Sequence, residues 1–156
     1  MLFKYRKKKG LILQNLIIKT KTAQLLTSSQ RKNFEVLRKP LIQYAIRYQR
    51  NYPFDILEEV ADYLEYFIQN PLFSIDQIEN RIKDHIEMGQ NEYSFSLNEI
   101  SNAFSILIQT KYLTLNHVLS ALNHILIAYS FNFENQLFLK QEDNFLLSIL
   151  EKYKIY

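Results

Sequence analysis

The sequence predicts a mainly α-helical domain, and three observations carry that prediction. Apolar residues recur at helical spacing through most of the chain. Pro53 and Pro71 stand at the junctions between those runs, and Ser, Thr or Asp residues precede several of them where a cap is needed. Third, 47 % of the 156 residues are apolar and 22 are Phe or Tyr, enough to bury a core without metal or disulfide staples.

Each element follows from local signals. Leu11 to Leu26 is only partly helix-like: Leu13, Leu16 and Ile17 share a face, but Ile18, Leu25 and Leu26 fall away from it. Ser28 and Ser29 predict the cap of a basic helix from Gln30 to Lys39. Pro40 fits the first turn of a further helix ending at Arg50, because an interior proline costs about 3 kcal/mol. Asp55 with Glu58 resembles a capping box opening a helix whose inner side is Ile56, Leu57, Val60, Ala61, Leu64, Phe67 and Ile68. Asn70-Pro71 ends it. Ser74 with Gln77 starts the next, with Ile75, Ile78, Ile82 and Ile86 as its stripe and Gly89 as its C-terminal cap. Ser96 with Glu99 opens another, and Thr114 caps a helix carrying Leu115, Val118, Leu119, Leu122 and Leu126.

From residue 129 the pattern changes. Tyr129, Phe131 and Phe133 alternate with Ser130 and Asn132, and after Glu134-Asn135 the residues Leu137 and Leu139 alternate with Phe138 and Lys140. Period two on both sides of a polar pair predicts a β-hairpin over 129–140, although the same stretch also reads as helix. Asn144 to Tyr153 reads as a terminal helix. The order of helix from Leu97, turn, helix from Leu115 and hairpin is similar to a winged-helix fold. The expected class is therefore a small helical domain with a basic N-terminal extension and, in one reading, a winged-helix-like C-terminal half. The other reading is two core helices followed by a third.

The charge distribution carries the functional expectation. Residues 1–50 hold thirteen Lys or Arg and one acid, Glu35, a local charge of +12. Residues 51–156 hold six Lys or Arg against fifteen acids, or −9, so the net +3 hides a split molecule. This divides the chain into a basic arm with first helices, 1–50, and an acidic helical body, 51–156. Such asymmetry points to a polyanionic partner. The expected nucleic-acid-binding residues are Lys4, Arg6, Lys7, Lys8, Lys9, Lys19, Lys21, Arg31, Lys32, Arg38, Lys39, Arg47 and Arg50. Phe3, Tyr5, Tyr44, Tyr48 and Tyr52 interleave them as stacking surfaces for unpaired bases. If about six of these cations touch phosphates, log affinity falls with log salt at a slope of roughly −4 to −5. A solvated basic face, a tail folded onto the chain's own Glu58, Asp62 and Glu65, and an anionic membrane surface are the competing readings.

Composition limits the weight of this tract. Phe, Tyr, Ile, Asn and Lys make up 66 residues, and Gly, Ala, Arg and Pro only 17, the mark of a low-GC genome. Abundant lysine then partly reflects mutation pressure, whereas arginine, with its fork suited to phosphate, is less discounted.

Other chemistries find little footing. The absence of cysteine removes disulfides, thiolate metal sites and cysteine nucleophiles, and fits a reducing compartment. His117 and His124 are seven residues apart, about 10 Å along a helix, and a zinc pair wants four-residue spacing. The acidic clusters at Glu58, Glu59, Asp62 and Glu65 and at Glu142 and Asp143 read as solvated faces. No Gly-rich phosphate loop, nucleophile elbow or HExxH pattern occurs, so no enzyme activity, metal or cofactor is expected. The longest uncharged run, Tyr112 to Phe133, carries too many polar groups for a membrane span. The second candidate helix for groove reading, from Leu115, lacks Lys and Arg, so DNA reading by a winged helix is not expected. Met1 to Leu26 is basic and acid-free, as in an organellar transit peptide.

The expectation is a non-catalytic subunit of a nucleoprotein assembly in the organelle matrix or cytoplasm of a low-GC genome. Its basic third would bind RNA, more than DNA, and its acidic body would dock on proteins, in the manner of a ribosomal accessory subunit. The alternative is a winged-helix-like regulatory adaptor acting through protein contacts, and a third reading is a peripheral subunit of a membrane complex.

Overall fold

A computed structural model describes residues 15–155. Among them are seven α-helices: α1 (Lys21–Ser28), α2 (Arg38–Asn51), α3 (Asp55–Gln69), α4 (Glu79–Gln90), α5 (Phe95–Gln109), α6 (Leu115–Ser130) and α7 (Leu137–Lys152). Short 3-10 turns at Leu16–Lys19, Glu35–Leu37 and Ile75–Gln77 lead into α1, α2 and α4. The mainly helical class is therefore correct.

The hairpin over 129–140 is not. No strand occurs among the described residues; Tyr129 and Ser130 complete α6, and α7 begins at Leu137. The alternating rings are shared between two helix ends. Tyr129 is buried, Phe131 stacks on Phe95 at 6.1 Å, and Phe133 stacks on Phe138 at 5.4 Å. Asn135, expected in the hairpin turn, instead accepts the Leu137 N–H at 3.0 Å and helps to open α7. With no hairpin, the winged-helix-like arrangement falls too, and the C-terminal half is three successive helices.

Four smaller expectations shift for local reasons. The basic helix from Gln30 to Lys39 does not form. Ser29 accepts the Arg31 N–H and Asn33 the Glu35 N–H, two local turns that compete with helix, while buried Phe34 donates its N–H to Leu113 O at 2.9 Å. α3 has no side-chain cap; Asp55 and Glu58 lie inside its first turn, where they favour the positive helix end. α5 is capped by Ser94, not Ser96, through the Leu97 N–H. Ser74 caps the 3-10 turn before α4. Thr114 caps α6 as expected, in a reciprocal box with His117.

Gly89 is not a C-terminal cap either. It lies inside α4, and a Cβ there would stand 2.6 Å from Ser101 Oγ and 3.4 Å from Leu57 Cδ2. The glycine lets α4 approach α3 and α5.

One core runs through the described residues, from Leu16 to Ile155. Its most extensive contact is between α5 and α6, joined by the short turn 110–114; α2 packs on α3, α5 and α6. α1 packs on α7, and the Leu16–Lys19 turn lies on α6, where Ile17 donates its N–H to Asn123 Oδ1. The last stretch of the basic third is thus core structure: Leu41, Ile42, Tyr44, Ala45, Ile46 and Tyr48 are all buried on α2.

Candidate nucleic-acid interface

Of the thirteen expected cations, Lys4, Arg6, Lys7, Lys8 and Lys9 lie outside the described residues, as do Phe3 and Tyr5. The remaining eight fall into two sets.

The first set is turned inward, on or beside α2. Arg38 forks onto the Glu35 carboxylate and donates to Leu107 O at 2.5 Å and Thr110 O at 2.8 Å, satisfying carbonyls at the C-terminal end of α5. Lys39 Nζ lies 5.0 Å from the centre of the Phe67 ring. Arg50 meets three carboxylates of α3: Asp62 at 2.5 Å, Glu65 at 3.3 Å and Glu58 at 3.7 Å. Hydrogen bonding to Asp62 is the main force raising its pKa.

Arg47 is the most embedded. Its Nη1 donates to Glu142 Oε1 at 2.8 Å and to the Tyr129 hydroxyl, while Tyr44 donates its hydroxyl to the same Glu142 oxygen at 2.8 Å. The Glu142 side chain is only 9 % exposed, against 36 % for Arg47. Burial, then the Glu142 charge, holds the Tyr44 pKa well above the ordinary tyrosine value. Burial likewise raises Tyr129, again reinforced by Glu142. Burial by itself would lower Arg47; the neighbouring Tyr129 and Glu142 outweigh it, and the guanidinium stays firmly charged. The rings expected to stack on bases are part of this assembly: Tyr44 and Tyr48 are buried, and Tyr52 is half-buried against Tyr48 and Tyr129.

The second set is turned outward. Lys19, Lys21, Arg31 and Lys32 are exposed, and none forms an ion pair with another described residue. Lys19 and Lys21 share a shallow cleft with Lys140 of α7, between α1 and the start of α7. Asp143 borders the same cleft, but its carboxylate is occupied with the N-terminus of α1. It accepts the N–H groups of Lys21 (2.9 Å) and Thr22 (3.0 Å) and the Thr22 hydroxyl (2.7 Å). The lysine ammonium groups carry the unspent positive charge there. Arg31 and Lys32 lie in the loop between α1 and the Phe34 anchor, which ties that loop to the α5–α6 turn bearing Lys111.

Sequence reasoning missed Lys140 and, at the other end of α7, Lys152. Both stand in the acidic body beside acids, so no linear run announced them.

The histidines take separate polar partners. His85 Nε2 lies 2.6 Å from Glu59, which also receives Arg81 and the Tyr63 hydroxyl; that hydroxyl is the first cause of the lowered Glu59 pKa. His124 pairs with Glu99 at 2.5 Å, and His117 belongs to the α6 cap. Among the described residues no cluster of His, Asp or Glu is placed to hold a metal ion, and no helix is long and apolar enough to cross a membrane.

Compared with known protein families, with curated proteins and with solved structures, the chain finds no match.

Proposed function

We propose that this chain is a non-catalytic subunit of a nucleoprotein assembly, an accessory of ribosomal type. Its N-terminal arm and outward cations lie on nucleic-acid phosphates, RNA in preference to DNA, and its helical body faces proteins. The segregation of the cations carries this reading. Within the inward set Arg38, Arg47 and Arg50 are paired with carboxylates of the fold, whereas Lys19, Lys21, Arg31 and Lys32 are exposed without counter-ions among the described residues. They are the next cations in sequence after the tract from Lys4 to Lys9, and Lys140 lines the same cleft as Lys19 and Lys21. An extended strand of phosphates is the anion that such a spread of cations fits.

The test replaces Lys19, Lys21, Arg31 and Lys32 together with Glu and follows single-stranded RNA binding by fluorescence anisotropy at several salt concentrations. On single strands each phosphate contact is worth a slope of about −0.7, so losing four flattens the salt dependence by about 3. Affinity and slope unchanged from wild type would sink the reading. Arg38, Arg47 and Arg50 are left alone, because they are already paired within the fold.

The adaptor acting through protein contacts is the alternative. The same charge-reversed variant separates the two: an adaptor keeps its protein partner after the change.

A further inference from the structure

A cleft of about 420 Å³ opens between α2 and α7, lined by Tyr44, Arg47, Phe145, Ile149, Lys152 and Tyr153 among others. Clefts that hold small ligands run from about 300 to 1,000 Å³. The walls are rings and aliphatic carbon, and both charged side chains lining it are cations. The one carboxylate beneath, Glu142, is already engaged by Arg47 and Tyr44.

The chemistry of these walls is specific. The Arg47 guanidinium lies 4.4 Å from the centre of the Phe145 ring, and Lys152 Nζ lies 5.7 Å from that of Tyr153. Arg47 commits Nη1 to Glu142 and Tyr129; its Nε and Nη2 groups donate to no described residue. Phe145 stacks on Tyr44 at 5.7 Å and remains 38 % exposed, so part of its ring is open to the cleft. Between Lys140 and Lys152 the outward face of α7 shows Gln141, Asn144 and Ser148, with Glu151 its one acid. Twelve residues of helix span about 18 Å. The Lys19–Lys21–Lys140 cleft and the aromatic cleft therefore stand towards opposite ends of one helix.

We propose that the aromatic cleft takes one unpaired nucleotide of a single-stranded nucleic acid. The base lies against Phe145 and Tyr153, and Lys152 holds its phosphate. The inference rests on the nucleic-acid reading above and adds selectivity to it, since a duplex keeps its bases paired and stacked and presents none to the cleft.

The test uses the full chain with a short fluorescent oligouridine, an abasic oligonucleotide of equal length, and a duplex. Stacking on an aromatic side chain is worth about 1–3 kcal/mol per base, so Phe145→Leu weakens oligouridine binding about tenfold with the salt slope unchanged. Lys152→Gln weakens it less and flattens the slope by about 0.7. Phe145→Leu and wild type bind the abasic strand alike. Circular dichroism confirms that each variant is folded; if Phe145→Leu is not, Tyr153→Leu, at the half-exposed far wall, takes its place. Equal oligouridine affinity for the ring variant and wild type, or equal wild-type affinity for abasic and uridine strands, overturns the cleft while leaving the phosphate reading intact. Wild type retaining no oligonucleotide at all removes both.

Discussion

The cations of α2 and those flanking α1 are neighbours in sequence, yet the fold puts them to opposite uses. On α2, Arg47 reaches a nearly buried carboxylate and Arg50 bridges to three acids of α3; just before them Arg38 closes the carbonyl end of α5. Beside α1, Lys19, Lys21, Arg31 and Lys32 face solvent with no described counter-ion. The fork that recommends guanidinium for phosphate also suits two carbonyls or a carboxylate inside the fold. A local charge of +12 is thus a poor measure of the field presented to a partner, because much of its arginine is neutralised within the molecule.

Disrupting the inward set gives the largest expected effect. Glu142→Ala strands two donors, the Tyr44 hydroxyl among them. Removing one partner of a buried pair costs about 3–5 kcal/mol, and because Arg47 is a third exposed the low end applies, about 3 kcal/mol in urea unfolding. Glu142→Gln keeps an acceptor for Tyr44 and costs less. Nucleic-acid affinity of any Glu142 variant that still folds should stay within a few-fold of wild type; a collapse of binding at full stability would erase the distinction between the two sets.

A second effect is alkaline. Tyr44 and Tyr129 have raised pKa values in the fold against 10.0 in the unfolded chain. The native state therefore holds protons that the unfolded state releases. Their contribution is complete below pH 10 and is lost as pH rises from there towards the folded values. The urea midpoint should fall as pH rises above 10, with tyrosinate absorbance of these two residues appearing only on unfolding. Tyr44→Phe with Tyr129→Phe flattens the decline; an unaltered decline would show that other groups cause it.

The smallest effect belongs to Arg50. Its pairs lie at the surface, where an ion pair contributes about 0.2–1 kcal/mol, so Arg50→Ala should move stability by less than 1 kcal/mol. A loss near that of Glu142→Ala would mean that burial does not separate the two arginines.

Much of the fold was legible in the sequence. The stripe of α3, the break at Asn70-Pro71, Pro40 in the first turn of α2 and the Thr114 cap are local signals that tertiary structure had no cause to override. The failures occurred where distant contacts decided. Phe34, drawn to Leu113, prevented a helix over 30–39, and the rings at 129–133 found three different environments instead of one sheet face. The outward cations were legible as residue types but their freedom was not, since pairing depends on which acids α3 and α7 bring near. Lys140 and Lys152 had no signal in the tract, because only the packing of α7 beside α1 and α2 makes them its neighbours.

The close approach at Gly89 ties two distant positions into one steric unit. A larger side chain there requires the Ser101 hydroxyl to turn away or be lost, and that hydroxyl is itself buried without a hydrogen-bond partner. Evolutionary drift at the two sites should consequently be correlated: lineages with alanine at the first should carry glycine or alanine at the second, a covariance readable from any set of relatives.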